Sequence, residues 1–160
     1  MNHTPDKSYM QAAIDAVKEH MPHNEGGPFG ACIVKNGKII SIAHNSVLKD
    51  RDPTCHAEVN AIRQAAKVLN NFDLSGCSIY STTEPCPMCF SAIHWANIGQ
   101  IIYGTEIADV NALGFNELTI SNVTMKKLGN SPVSIVPNFE REPCQQLLTF
   151  WQENSAQTTY

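Results

Sequence analysis

The chain has 160 residues, 42% of them hydrophobic, which suffices for one domain with a sizeable core and is short for two. Its formal charge is −4, and the 11 Lys and Arg are scattered, so it lacks the basic stripe that grips a phosphate backbone; nucleic acid is a poor candidate partner. The opening MNHTPDKSYM is polar and no run reaches the roughly 18 to 20 apolar residues of a membrane span, which predicts a cytoplasmic protein with no membrane partner and reduced cysteines.

Residues 8 to 20 place Met10, Ile14 and Val17 on one side, predicting an opening helix. EGGPFGACIVKNGKIISIAHN follows, and its KNGK puts an Asn-Gly turn between two β-branched runs, so 29 to 35 and 38 to 44 read as a hairpin. After a polar loop, SVLKDRDPT, the segment from about 56 to 69 carries Ala57, Ala61, Ala65 and Val68 at helical spacing, with Asp52 and Thr54 available to cap it. CSIYST (77 to 82) reads as a strand, CPMCFSAIHWAN (86 to 97) as a helix and QIIYGT (100 to 105) as a strand. Beyond these lie a short helix near 107 to 113, a loop or helical turn through GFNELTI, a short strand at 133 to 136, a final helix from about 143 to 153 and a polar tail. There is no internal repeat, and the alternation of strands and helices predicts an α/β domain with helices on both faces of a mixed sheet.

Chemistry concentrates in two short segments. In DPTCHAEVNAI, His56 and Glu58 stand at the start of a helix; thirty residues on, EPCPMCF brings Cys86 and Cys89 to the start of another. First-turn backbone N–H groups favour thiolates there. One imidazole and two thiolates make a three-ligand zinc set with an open fourth place, beside which Glu58 is free to act as base and then acid. A redox CxxC pair, or a closed structural zinc completed by Cys55 or His94, are the competing readings. His94 otherwise reads as a hydrogen-bonded residue of its helix, and His20, His23 and His44 as surface or loop residues. Cys32 and Cys77 read as small core residues, and Cys144 is unassigned.

H-x-E followed by P-C-x-x-C is the general signature of zinc-dependent nucleobase deaminases, and HAE with PCPMC matches it. From about residue 8 to the C-terminus the chain resembles the cytidine deaminase superfamily. The resemblance implies a three-layer α/β/α fold around a mixed five-stranded sheet. It also implies one Zn2+ per chain on His56, Cys86 and Cys89, with Glu58 as proton shuttle. GGPFGACIVKNG, DPTCHAEVNAIR, EPCPMCFSAIHWA and the GF at 114 to 115 are most similar to bacterial guanine deaminases, as is a tail ending in tyrosine. That similarity implies a purine stacked between Phe29 and Trp95, hydrogen-bonded by Asn45 and lying against Ala57. It further implies a homodimer in which the tail, 154 to 160, is exchanged so that Tyr160 closes the partner's pocket. Where that family carries an acidic pair after GF, this chain has Asn116 and Glu117; Glu117 would recognise the N–H groups of guanine with one extra methylene. Another aminopurine, a purine nucleoside, an amino-triazine or a tRNA adenosine are the alternative substrates, and an inactive zinc module that binds purines or a protein is the non-enzymatic reading.

Overall fold

The computed structural model describes residues 4–154 and 158–160. Helix α1 (Lys7–His20) is capped by Asp6, whose carboxylate accepts from the Ser8 N–H at 2.8 Å and satisfies one of the donors a helix start leaves unpaired. Met10, Ile14 and Val17 are buried, as their spacing predicts. After a 3-10 turn at Met21–His23 come β1 (Gly30–Lys35) and β2 (Lys38–His44). Asn36 and Gly37 join them with φ of 50° and 73°, the left-handed pair that matches the twist of a two-residue hairpin.

The remaining elements are α2 (Val47–Asp50), α3 (Ala57–Leu69), β3 (Cys77–Thr83), α4 (Pro87–Trp95), β4 (Gln100–Thr105), α5 (Ile107–Asn111), α6 (Asn122–Gly129), β5 (Ser134–Val136) and α7 (Arg141–Asn154). The sheet is five-stranded and mixed, in the order β2-β1-β3-β4-β5, with β1 antiparallel to both neighbours and β3, β4 and β5 parallel. Register and pleat sort the core into two layers. Ile33, Ile79 and Ile101 lie side by side and join Ala57, Ala61, Phe90 and Ile93 of α3 and α4. Cys32, Tyr80 and Ile102 are the next row, point the other way, and join Met10, Ile14 and Leu147 of α1 and α7. Each of the buried Ile, Leu, Met and Phe side chains among these contributes about 1.5–3 kcal/mol of transfer free energy. Gly30 is where α1 approaches β1 most closely, since a Cβ there would collide with the Ala13 carbonyl.

Several expectations need correction. The polar loop 46–54 contains α2, and the region after GFNELTI contains α6, neither of which was anticipated. Val68 is 66% exposed, because α3 turns only its Ala57, Ala61 and Ala65 side to the sheet. Asp52 and Thr54 do not cap α3; the Asp52 carboxylate accepts from the Thr54 N–H and hydroxyl, and the N-cap is His56. The helix expected over 86 to 97 ends at Trp95, and left-handed Asn97 follows. Cys32, Cys77 and Cys144 are core residues. Among the described residues no helix is long and apolar enough to cross a membrane.

Candidate active site

His56 is the N-cap of α3 and Cys86 the N-cap of α4, and neither helix start has a side-chain cap. The two helices begin beside each other, so Nδ1 of His56 lies 3.6 Å from Cys86 Sγ and 3.5 Å from Cys89 Sγ. A tetrahedral zinc, with Zn–S near 2.3 Å and Zn–N near 2.05 Å, separates such a pair by about 3.6 Å. The residues therefore fit the ion in number, type and spacing. Cys55 is no fourth ligand: it is buried apart from the cluster, with the Arg63 guanidinium 3.4 Å from its sulfur. His94 is likewise elsewhere, hydrogen-bonded to Ser131 Oγ at 3.0 Å.

The electrostatics suit a cation. The hydrogen bond from Cys89, with His56 beside it, draws the Cys86 thiol down to about 4, while Cys89 is held well above its ordinary value by its bond to Cys86 and by burial. Burial opposes charge on His56, but the contacts with Cys86 and the Glu58 carboxylate outweigh it and raise that imidazole. Glu58 is buried in the second position of α3. Its Oε1 accepts from Ser81 Oγ at 3.1 Å and its Oε2 from Cys89 Sγ at 3.4 Å, and burial raises its carboxyl above the usual range.

A cavity of about 300 Å3 opens over this cluster. Phe29, Asn45, Glu58, Phe115, Glu117 and Tyr160 line it. Phe29 and Phe115 meet edge to face, 5.2 Å between ring centres. Asn45 Oδ1 accepts from Tyr160 Oη at 2.6 Å and from the Val47 N–H at 3.2 Å, which leaves its buried Nδ2 without a hydrogen-bond partner. Glu117 Oε2 is buried and equally unpartnered, and burial, with the charges of Cys86 and Glu58, pushes that carboxyl up to about 8. Two orphaned polar atoms in one apolar cavity mark where a ligand's polar edge would go.

Three expected contacts fall differently. Trp95 is 82% exposed and does not line the cavity, because on a helix it faces away from the side that buries Cys89, Phe90 and Ile93. Ala57 has its methyl in the core rather than in the cavity. Tyr160 lies in the cavity of its own chain, with its Oη also accepting from the Gly27 N–H at 3.0 Å; residues 155–157, within the tail expected to be exchanged, lie outside those described.

Sequence reasoning missed the Ser81 hydroxyl behind Glu58, and missed Glu84. The latter's two oxygens accept from the Ile107 N–H at 3.1 Å and the Asn122 N–H at 2.8 Å, fastening the starts of α5 and α6, the helices on either side of the loop that carries Phe115 and Glu117. Nothing but its place two residues before Cys86 could have signalled it. His20 and His44, expected as surface or loop residues, instead stack face to face beside Glu25.

A three-ligand centre at the starts of two helices, a buried carboxylate beside it and an α/β/α frame define a hydrolytic deaminase. The chain belongs to the cytidine and deoxycytidylate deaminase family, whose zinc-binding region matches residues 3–105. Within that superfamily its likeness to guanine deaminases is extensive. It is 44% identical to a guanine deaminase of Bacillus subtilis over 117 residues, 73% of each chain. A structure of guanine deaminase from Nitrosomonas europaea superposes with a TM-score of 0.85 at 25% identity, over 96% of this chain and 88% of that one. A tRNA-specific adenosine deaminase of Bacillus subtilis is 32% identical over 151 residues, 94% of this chain and 91% of that one.

Proposed function

We propose that the chain hydrolyses guanine to xanthine and ammonia as a single cytoplasmic deaminase domain holding one zinc. The observation that carries this is the pair of unpartnered polar atoms, Asn45 Nδ2 and Glu117 Oε2, in the cavity over His56, Cys86 and Cys89. When bound, zinc supplies a Lewis acid that brings the pKa of water towards about 7. Glu58 then carries one proton of the attacking water to the ring nitrogen of the amidine, which keeps it, and the second, from the new hydroxyl, to the amine, which departs as ammonia as the C–N bond breaks and the carbonyl forms; Ser81 holds the other oxygen of Glu58. Asn45 donates through Nδ2 to an acceptor on the purine edge, and Glu117 takes the N–H groups of the opposite edge. Phe29 and Phe115 bound the ring.

The relative that deaminates tRNA adenosine shares the zinc chemistry, but a chain of −4 net charge is poorly suited to an RNA stem-loop. Ammonia release by the zinc-loaded protein from guanine, guanosine, adenine, cytosine, cytidine, ammeline and a tRNA anticodon stem-loop, side by side, tests the reading. Turnover of guanine above the rest is expected. Turnover of another member alone moves the substrate and keeps the chemistry, and zinc content without turnover of any leaves a binding module. We further propose a homodimer. The exposed Trp95 suits an interface, and tail exchange would give Tyr160 the same contacts in a partner's cavity; light scattering of the purified protein measures the state.

A further inference from the structure

We propose that Glu25 is a positioning residue for the substrate-facing amide of Asn45, and that the stacked imidazoles of His20 and His44 make that positioning pH-dependent. The inference rests on the deaminase reading above.

Glu25 follows the 3-10 turn and is fastened at both ends to the segment that contains Asn45. Its carbonyl accepts from the Leu48 and Lys49 N–H groups, both at 3.0 Å. In its carboxylate, Oε1 accepts from Lys49 Nζ at 2.9 Å and Oε2 from His44 Nε2 at 2.6 Å. Immediately beyond, Gly26 lies so flat on Asn45 that a Cβ would collide with its side-chain oxygen, and the Gly27 N–H donates to the Tyr160 hydroxyl that itself holds Asn45 Oδ1. The path from Glu25 to Nδ2 of Asn45 thus runs through packed backbone with no slack.

His20 closes the cluster from α1. Its ring lies 3.7 Å from that of His44 at 6° between planes, and its Nδ1, buried without a hydrogen bond, is 3.3 Å from the same Oε2. The charged and titratable groups are therefore His20 from α1, Glu25 from the loop, His44 from β2 and Lys49 from α2. The set has the donors of a metal site, but parallel rings aim their lone pairs side by side rather than at one point, and 2.6 Å is a hydrogen-bond distance. With the carboxylate ionised and both imidazoles neutral, Lys49 and Glu25 balance. Protonating both rings puts two cations face to face beside Lys49, with one carboxylate among three positive charges. Such a cluster relieves itself by parting the rings, which shifts Glu25 and the glycines lying on Asn45. Consistent with this, the Lys49 contact and His44 hold the Glu25 carboxyl down to about 2, and burial holds His44 below the ordinary histidine range.

The test compares KM and kcat for the wild-type, Glu25→Gln and His20→Phe proteins, with zinc content measured, at about pH 8 and about pH 5, the lower value set well below the ordinary histidine range because burial lowers His44. Wild-type KM should rise severalfold at the lower pH. Glu25→Gln should raise KM by about tenfold at the higher pH with kcat within about twofold, the signature of lost binding rather than lost chemistry. His20→Phe keeps a flat ring and removes one charge; it should match wild type at the higher pH and lose the acid rise. Unchanged KM in Glu25→Gln, an equal fall of kcat, or a wild-type acid rise in His20→Phe would overturn the inference. So would a second equivalent of zinc or nickel that His20→Phe abolishes. If wild type refuses guanine but releases ammonia from another amine, the guanine reading fails and the same comparison is run with that amine.

Discussion

At the scale of single residues, the proposed mechanism separates groups that do chemistry from groups that aim it. Glu58 belongs to the first kind: Glu58→Gln should keep one zinc per chain and lower kcat by about 10^2–10^4, the range of general acid–base catalysis. Ammonia release beside metal content measures it, and full turnover would end the shuttle assignment. Tyr160 belongs to the second. Its hydroxyl takes the Gly27 N–H and gives its proton to Asn45 Oδ1, which fixes which end of the amide faces the cavity. Tyr160→Phe orphans the Gly27 donor and leaves Asn45 Oδ1 held by the Val47 N–H alone, at a cost of about 1–2 kcal/mol, so KM should rise roughly fivefold to thirtyfold. Equal steady-state kinetics for the two proteins would show the phenol idle. The clustering of His56, Cys86 and Cys89, the proposed metal ligands, was legible because they belong to local motifs of fixed spacing. Trp95, expected to stack on a purine from the family resemblance, is exposed in the single chain because, six residues past Cys89, the helix has turned its side chain to solvent.

At the scale of elements, legibility followed periodicity. The hairpin stood out through Asn36-Gly37, and α1 and α3 through their buried stripes. Helix α6 did not, because only Asn122 is buried in it while Val123 and Leu128 are exposed, so it has no apolar stripe to read. The loop between α5 and α6 supplies Phe115 and Glu117 and carries no period at all. Its placement depends on Glu84, which satisfies a backbone donor at the start of each helix. Glu84→Gln would turn an amide N–H towards one of these donors. The substitution should cost about 1–3 kcal/mol and raise KM together with a lower Tm, measured by thermal unfolding and steady-state kinetics. A stable variant with normal KM would place the loop's support elsewhere. The starts of α3 and α4 offer a second test. Their N-caps are metal-ligand candidates without capping hydrogen bonds, so an ion there fastens both helices. Stripping the metal with a strong chelator should lower Tm and speed amide exchange in the first turns of α3 and α4. Exchange confined to other segments would deny the ion that role.

At the scale of the whole molecule, the charge network predicts a fold that weakens in acid. Glu25 is held near 2 against an ordinary 4.5, chiefly by the bond from Lys49, so its contribution is complete above the ordinary value and disappears as pH falls through 4.5 towards 2. Asp109 is lowered too: burial works against it, and the Arg141 guanidinium at 2.8 Å prevails. His44 is lowered by burial, so the unfolded chain takes its proton first and stability begins to fall below the ordinary histidine value of 6.5. Glu117, raised by burial to about 8, works the other way, its contribution growing as pH falls from 8 towards 4.5, so the network is read from the difference between wild type and Glu25→Gln: below pH 4.5 the midpoints of Glu25→Gln should decline less, and equal profiles would contradict the network. The two halves of the site also differ in reach. The proposed ligands His56 and Cys86 are 30 residues apart, whereas the Gly27–Tyr160 bond that closes the cavity spans 133. Closing a long loop costs more entropy and is slower than closing a short one. A refolding chain should therefore regain its metal before its substrate pocket, passing through a loaded but catalytically silent form, and the delay between the two recoveries would time the arrival of residue 160.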